Sequence, residues 1–128
     1  MNKVKVAVNG YGVIGKRVAD AVRKQDDMEL VGIADLVTDY RIKTAVVLGI
    51  PVFAAIPEKV QEMKDAGIPI AGTLEDLLKR VDVIIDCTPK KVAAKNKERY
   101  QQAGVKAIFQ GGESHSLTGH SFVAQENY

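Results

Sequence analysis

Val4-Lys5-Val6-Ala7-Val8-Asn9-Gly10-Tyr11-Gly12-Val13-Ile14-Gly15 is the stretch whose reading decides the fold. A β-branched run leads straight into Gly10, Gly12 and Gly15, the G-x-G-x-x-G spacing, and a segment with helical patterning follows at once. In a strand–turn–helix each of these glycines has its own mechanical task. Gly10 permits the tight turn off the strand, Gly12 leaves the backbone bare where a pyrophosphate approaches, and Gly15 lets the helix lie close against the strand. The anion then sits at the helix N-terminus, stabilised by free N–H groups and by the positive end of the macrodipole. Glycine triplets also mark plain turns. Here the strand before and the helix after supply the context for a nucleotide phosphate site formed by Gly10, Tyr11, Gly12, Val13, Ile14 and Gly15.

Beyond Gly15, Ile14, Val18, Ala21 and Val22 recur at helical spacing, with Lys16, Arg17, Asp20 and Arg23 opposite them. Met28 to Ala34 reads as a second strand ending at Asp35. An acidic residue about twenty positions beyond the glycine turn is the other half of a dinucleotide fingerprint, its carboxylate accepting from ribose hydroxyls. The competing reading of Asp35 is a turn or helix-cap aspartate.

Length and composition bound the possibilities. The chain has 128 residues, enough for one domain and too few for two full ones. Hydrophobic residues make up 46% and charged residues 27%, which excludes a disordered chain. Net charge is +2 with the basic residues scattered, so no nucleic-acid or membrane surface is expected. A single cysteine, Cys87, rules out an internal disulfide and a cysteine-cluster metal site. No apolar run is long enough to span a bilayer, and Met1 leads into a strand with no signal-peptide pattern, so the expected location is cytoplasmic.

Further along, the pattern predicts a helix over 39–48 closed by Gly49, a short strand over 52–55, and a helix from Pro57 to about Ala66 stopped by Gly67. Thr73-Leu74-Glu75-Asp76 has the form of a capping box, and Leu74, Leu77, Leu78 and Val81 make the stripe behind it. Val83-Ile84-Ile85 is apolar on both faces, as a central parallel strand must be. It emerges at Asp86-Cys87-Thr88-Pro89-Lys90-Lys91, a turn expected beside the glycine turn because such sheets bind ligands beyond the carboxyl ends of their strands. Thr88 is a candidate donor to the cofactor, Pro89 stiffens the loop, and Lys90 with Lys91 either attracts phosphate or simply starts a solvated helix. That helix is expected to end at Gly104, before a fifth strand over 105–109. Gln110-Gly111-Gly112-Glu113 follows, where the bare backbone of Gly111 and Gly112 either approaches the nicotinamide side of the cofactor or merely exits the sheet. Ser121 to Ala124 reads as one further short strand. Together these segments predict a Rossmann-type α/β fold: a doubly wound, mostly parallel sheet with helices on both faces.

No reaction centre emerges. Cys87 is a strand-end cysteine with no histidine placed by sequence to activate it, and such residues are usually small buried hydrophobes. His115 and His120 lack acidic companions, which makes a poor metal site. No catalytic residue and no metal ligand are therefore assigned.

The blocks Asn9 to Val22, Gln25-Asp26-Asp27-Met28, Ala66 to Thr73, Asp86 to Lys91 and Ala107 to Glu113 closely resemble archaeal-type glyceraldehyde-3-phosphate dehydrogenases. The resemblance covers essentially the whole chain. It implies a cofactor-binding domain spanning 1–128, from a homotetrameric enzyme that oxidises glyceraldehyde 3-phosphate with inorganic phosphate and NAD or NADP to 1,3-bisphosphoglycerate. It also implies backbone contacts from Val13 and Ile14 to the pyrophosphate, and a contact from Gly111. The family's nucleophilic cysteine lies in a Ser-Cys-Asn-Thr-Thr motif that does not occur here, so the expectation is a domain that binds cofactor, lacks catalysis and can be monomeric when alone. Asp35 stands where many archaeal members have a basic or neutral residue, which favours NAD, while Arg41 and Lys43 keep NADP open. Two rivals share the motifs: the cofactor half of another reductase, of the homoserine dehydrogenase or dihydrodipicolinate reductase kind, and a stand-alone nucleotide-sensing module. The block around Gly15 and the Gln110 to Glu113 block argue against the first.

Overall fold

In the computed structural model, which describes residues 3–36 and 40–110, the opening apolar run becomes strand β1 (Val4–Asn9). It is buried from Val6 onward, with parallel neighbours on both sides. That double burial is why Val6, Ala7 and Val8 are apolar in succession. Helix α1 (Val13–Arg23) leads to β2 (Met28–Asp35), and α2 (Tyr40–Val47) to β3 (Val52–Ala54). A 3₁₀ turn over Pro57–Lys59 enters α3 (Val60–Asp65), followed by β4 (Ile70–Thr73), α4 (Leu74–Leu78), β5 (Val83–Asp86), α5 (Lys90–Ala103) and β6 (Lys106–Phe109).

The strands lie in the order β4-β3-β2-β1-β5-β6, and every pairing is parallel. The chain therefore steps outward from β1 to β4, crosses back over the sheet, and resumes at β5 on the other side of β1. Parallel crossovers are right-handed, so reversing direction moves the helices to the opposite face. The core divides accordingly. Ala19, Ile42, Ala45 and Met63 pack with Val8 and Ile33 on one face. Leu74, Leu77, Ala93 and Tyr100 pack with Ala7 and Ile84 on the other. Each large apolar side chain buried this way contributes about 1.5–3 kcal/mol of gross stabilisation.

Most elements fall where the sequence pattern puts them, and three differ. Strand β4 is not signalled, because Pro69 precedes it and Gly72 lies inside a run of only four residues. It forms as an edge strand by pairing with β3. The segment from Pro57 begins as a 3₁₀ turn before becoming α-helical. Helix α4 ends at Leu78, so Val81 packs on the core from outside the helix. The capping aspartate is in place: Asp76 accepts from the Thr73 N–H at 2.9 Å, and this bond holds its carboxyl below the usual range. Helix α5 stops at Gly104, whose φ of +71° a side chain would disfavour. The expected turn at Gly111 and Gly112, the histidines, and the short strand over 121–124 lie outside the described residues.

Candidate cofactor site

The reversal of strand order falls between β1 and β5, and a crevice of about 580 Å³ opens beyond their carboxyl ends. Its size suits a small-molecule ligand. One wall is the glycine turn, contributing Gly10, Gly12, Val13 and Ile14, with Asp35 at the tip of β2. The other comes from the end of β5 and the inner side of α5, contributing Thr88, Pro89, Asn96 and Arg99.

The three glycines of the turn differ in what they do. A β-carbon on Gly15 would lie 1.8 Å from the Gly10 carbonyl oxygen, so only glycine lets α1 pack here. Gly10 has φ +93°, and a β-carbon there would press within 3.0 Å of the Cys87 backbone. Gly12 is unlike both. Its β-carbon would meet nothing nearer than an Arg41 guanidinium nitrogen at 3.7 Å, an ordinary contact. Gly12 is also the N-cap of α1 and offers no side-chain cap, and the first turn carries no acidic residue. The leading N–H groups of α1 thus have no intrahelical acceptor and point at the crevice end.

Asp35 both borders the crevice and braces the turn. One carboxylate oxygen accepts from the Tyr11 N–H and the other from the Leu36 N–H, each at 2.6 Å. Each oxygen keeps a further lone pair for a sugar hydroxyl. Tyr11 contributes its backbone only. Its ring is fully buried against the α1 and α2 side of the sheet, and its hydroxyl has no hydrogen-bond partner among the described residues.

The opposite wall is organised by Asp86, which is fully buried. It accepts from the Thr88 N–H at 2.8 Å and from the Thr88 hydroxyl, from Asn96 at 3.3 Å, and from the Tyr100 hydroxyl. A hydroxyl has one proton, and here it goes to Asp86, so Thr88 lines the crevice without a donor to offer. Arg99 locks α5 against its surroundings through Glu75 at 2.6 Å and the Ala55 carbonyl at 2.8 Å. Pro89 is exposed at the mouth and caps α5. Lys90 opens that helix.

Cys87 borders the crevice too, yet burial and the adjacent Asp86 push its thiol up to about 12. A thiol held protonated at neutral pH is a poor nucleophile. Sequence reasoning missed Asn9, Asn96, Arg99 and Tyr100. For Asn9 a signal existed: two-residue alternation along β1 puts it on the Ala7 face, a polar group where the pattern calls for an apolar one.

Comparison with known proteins supplies the family and agrees with the fold. Residues 4–112 match the family model described as dihydrodipicolinate reductase, N-terminus. Over 98% of its length the chain is 59% identical to a glyceraldehyde-3-phosphate dehydrogenase of Thermococcus sibiricus, and over 100% it is 53% identical to that of Methanococcoides burtonii. It spans 38% of each of those proteins. Among solved structures, an NAD-binding protein from Listeria innocua superposes with a TM-score of 0.62 over 85% of this chain and 26% of that one, at 15% identity, which speaks for the fold alone. The rival reading as a reductase half and the resemblance to the archaeal enzymes thus meet in one domain type. The chain belongs to the dihydrodipicolinate reductase N-terminal family, a Rossmann-type α/β domain, and its sequence stands with the archaeal glyceraldehyde-3-phosphate dehydrogenases.

Proposed function

We propose that this chain is the NAD(P)-binding domain of a phosphorylating glyceraldehyde-3-phosphate dehydrogenase. One observation carries the reading: an uncapped helix N-terminus, a sterically open Gly12 and the Asp35 carboxylate all face a single crevice at the switch point of the sheet. The residues present fit a dinucleotide. Backbone N–H groups of Val13 and Ile14 would receive the pyrophosphate, Asp35 the adenosine ribose, and Leu36, Ile56 and Val92 offer apolar surface to the base. A nicotinamide cofactor held here would supply the hydride acceptor for oxidation of the aldehyde. The chain's own share is binding and orientation, and Cys87, with its thiol held protonated, takes no part in the chemistry. Gly111 and Gly112 are kept as expected contacts from the loop after β6, and Lys90 as an expected phosphate contact. By the same likeness the whole enzyme is read as a cytoplasmic homotetramer. No helix among the described residues is long and apolar enough to cross a membrane.

For cofactor choice, Asp35 opposes a 2′-phosphate electrostatically, while Arg41 borders the same crevice and offsets part of that repulsion. NAD is expected to bind more tightly than NADP, with NADP still accepted. Calorimetric titration of the chain with each cofactor tests this, and a folded sample that takes up neither ends the proposal. Asp35→Asn removes the charge and keeps one acceptor oxygen, which serves either the Tyr11 or the Leu36 N–H but not both, so the variant is compared only after its fold is verified. It should move the preference toward NADP by about tenfold, and an unmoved ratio would take Asp35 out of the site.

A further inference from the structure

On the α5 side of the crevice lies a polar group that the contacts above leave unused. Asn9, the last residue of β1, is fully buried and borders the crevice. Its Nδ2 donates to the Tyr100 hydroxyl at 2.9 Å, and that hydroxyl donates to the Asp86 carboxylate. A phenol has a single proton. Since Asp86 receives it, Tyr100 can only accept from Asn9, and the amide must turn its NH₂ toward the ring oxygen. Proton accounting thereby fixes the orientation of the amide: Oδ1 faces away from Tyr100 and has no partner among the described residues. Burial and the neighbouring Asp86 both push the Tyr100 hydroxyl up, which keeps its proton in place.

The donor class that would satisfy Oδ1 follows from what surrounds it. The Gly10 N–H is spent on the Ala34 carbonyl at 2.7 Å, and the Cys87 N–H on the carbonyl of Asn9 itself at 2.8 Å. The backbone donors that flank Asn9 in the chain and on β5 are therefore taken, and the free N–H groups of α1 are the ones read as facing the pyrophosphate. Asn9 is level with Ala34 in the parallel register, one residue before Asp35 on β2. Of the parts of a dinucleotide, the pyrophosphate carries no donor, whereas the ribose that Asp35 draws to this end of the sheet carries two hydroxyls. An aspartate at this position takes the 2′-hydroxyl, which leaves the 3′-hydroxyl.

We propose that Asn9 is a cofactor-binding residue whose side-chain carbonyl accepts a hydrogen bond from the adenosine ribose 3′-hydroxyl, with Tyr100 as the positioning residue that aims it. The proposal rests on the dinucleotide reading of the crevice. A buried acceptor without a partner is costly, so the ligand hydroxyl would end a deficit present in the protein without ligand. The test is calorimetric titration of the wild-type chain and of Asn9→Ala with NAD and with NAD carrying 3′-deoxyadenosine. Wild type should prefer NAD by about five- to tenfold, and Asn9→Ala should lose most of that preference. Equal affinity of wild type for the two compounds overturns the proposal, as does an undiminished preference in a folded Asn9→Ala. If Asn9→Ala does not fold, Tyr100→Phe frees the amide to turn and should blunt the preference instead, while the wild-type pair of titrations still decides. Failure of the folded wild type to bind NAD at all is a different result, and removes the cofactor reading itself.

Discussion

The two walls of the crevice are built by different means. The α1 wall is backbone: glycines whose missing side chains let a strand, a turn and a helix close up, so that the ligand meets main-chain N–H groups. The α5 wall is side chain: Asn9, Asp86, Asn96 and Tyr100, joined through hydrogen bonds across residues far apart in sequence. Steric need writes itself into local sequence as a spacing. A buried polar network does not, because its partners are chosen by topology.

Within the α1 wall, the largest expected effect separates packing from binding. Gly15→Ala puts a carbon 1.8 Å from the Gly10 carbonyl oxygen, and backbone cannot step aside as a flexible side chain would. The loss should exceed the about 3 kcal/mol that overpacking usually reaches, a large part of a small domain's stability of about 5–15 kcal/mol. Gly12→Ala should leave the melting temperature unchanged, since its β-carbon meets only ordinary contact, yet weaken NAD by more than about tenfold by standing where the pyrophosphate comes closest. Chemical denaturation of both variants, with NAD titration of Gly12→Ala, checks the pair. Equal destabilisation by the two would erase the division of labour among the glycines.

The α5 wall should fail differently. Asp86→Ala strips the acceptor from Thr88, Asn96 and Tyr100 together and leaves those donors buried, at a cost of about 3 kcal/mol. Asp86→Asn keeps one acceptor oxygen but must turn an NH₂ toward either Thr88 or Tyr100, so about half that cost is expected. Urea unfolding of both orders them. An Asp86→Ala chain as stable as wild type would mean that the cluster is peripheral to the fold.

This contrast also accounts for what the sequence discloses. Residues 4–35 carry the strand, the glycine turn and the aspartate in one span, and all three stand together as the spacing requires. Strand β4 escaped because its four residues hold a glycine and follow a proline, so only the partner strand β3 makes them extended. The tie between Thr88 and Asp86 escaped for a reason of the same kind. The Thr88 hydroxyl has its acceptor two residues back, on a carboxylate that three other donors also share. Asn9 was legible only as a polar residue ending a strand expected to be buried on both faces, and its partner Tyr100 lies 91 positions away.

Cys87 joins the two walls and gives the smallest test of the contrast. It follows Asp86 directly, and successive side chains at a strand end point to opposite faces, so Asp86 enters the α5 cluster while Cys87 packs against the α1 side. Desolvation there, helped by the Asp86 charge, raises its thiol from an ordinary value of 9.0 to about 12. The sign of the linkage follows. Below the unfolded value both states hold the proton and Cys87 adds no pH dependence. As pH rises past it, the unfolded chain releases its proton first, so the folded state loses ground until the folded value is also passed. Between pH 8 and pH 10 wild type should therefore lose about 1–2 kcal/mol more stability than Cys87→Ala. Tyr11 and Tyr100 are shifted in the same direction, but they are present in both chains and cancel in the difference. Urea titrations at the two pH values measure it, with iodoacetamide labelling of the native chain at pH 8 expected to be slow. Parallel pH profiles for the two chains, or rapid labelling, would show a thiol open to solvent and an α1 wall less closely packed than the Gly10–Gly15 contact requires.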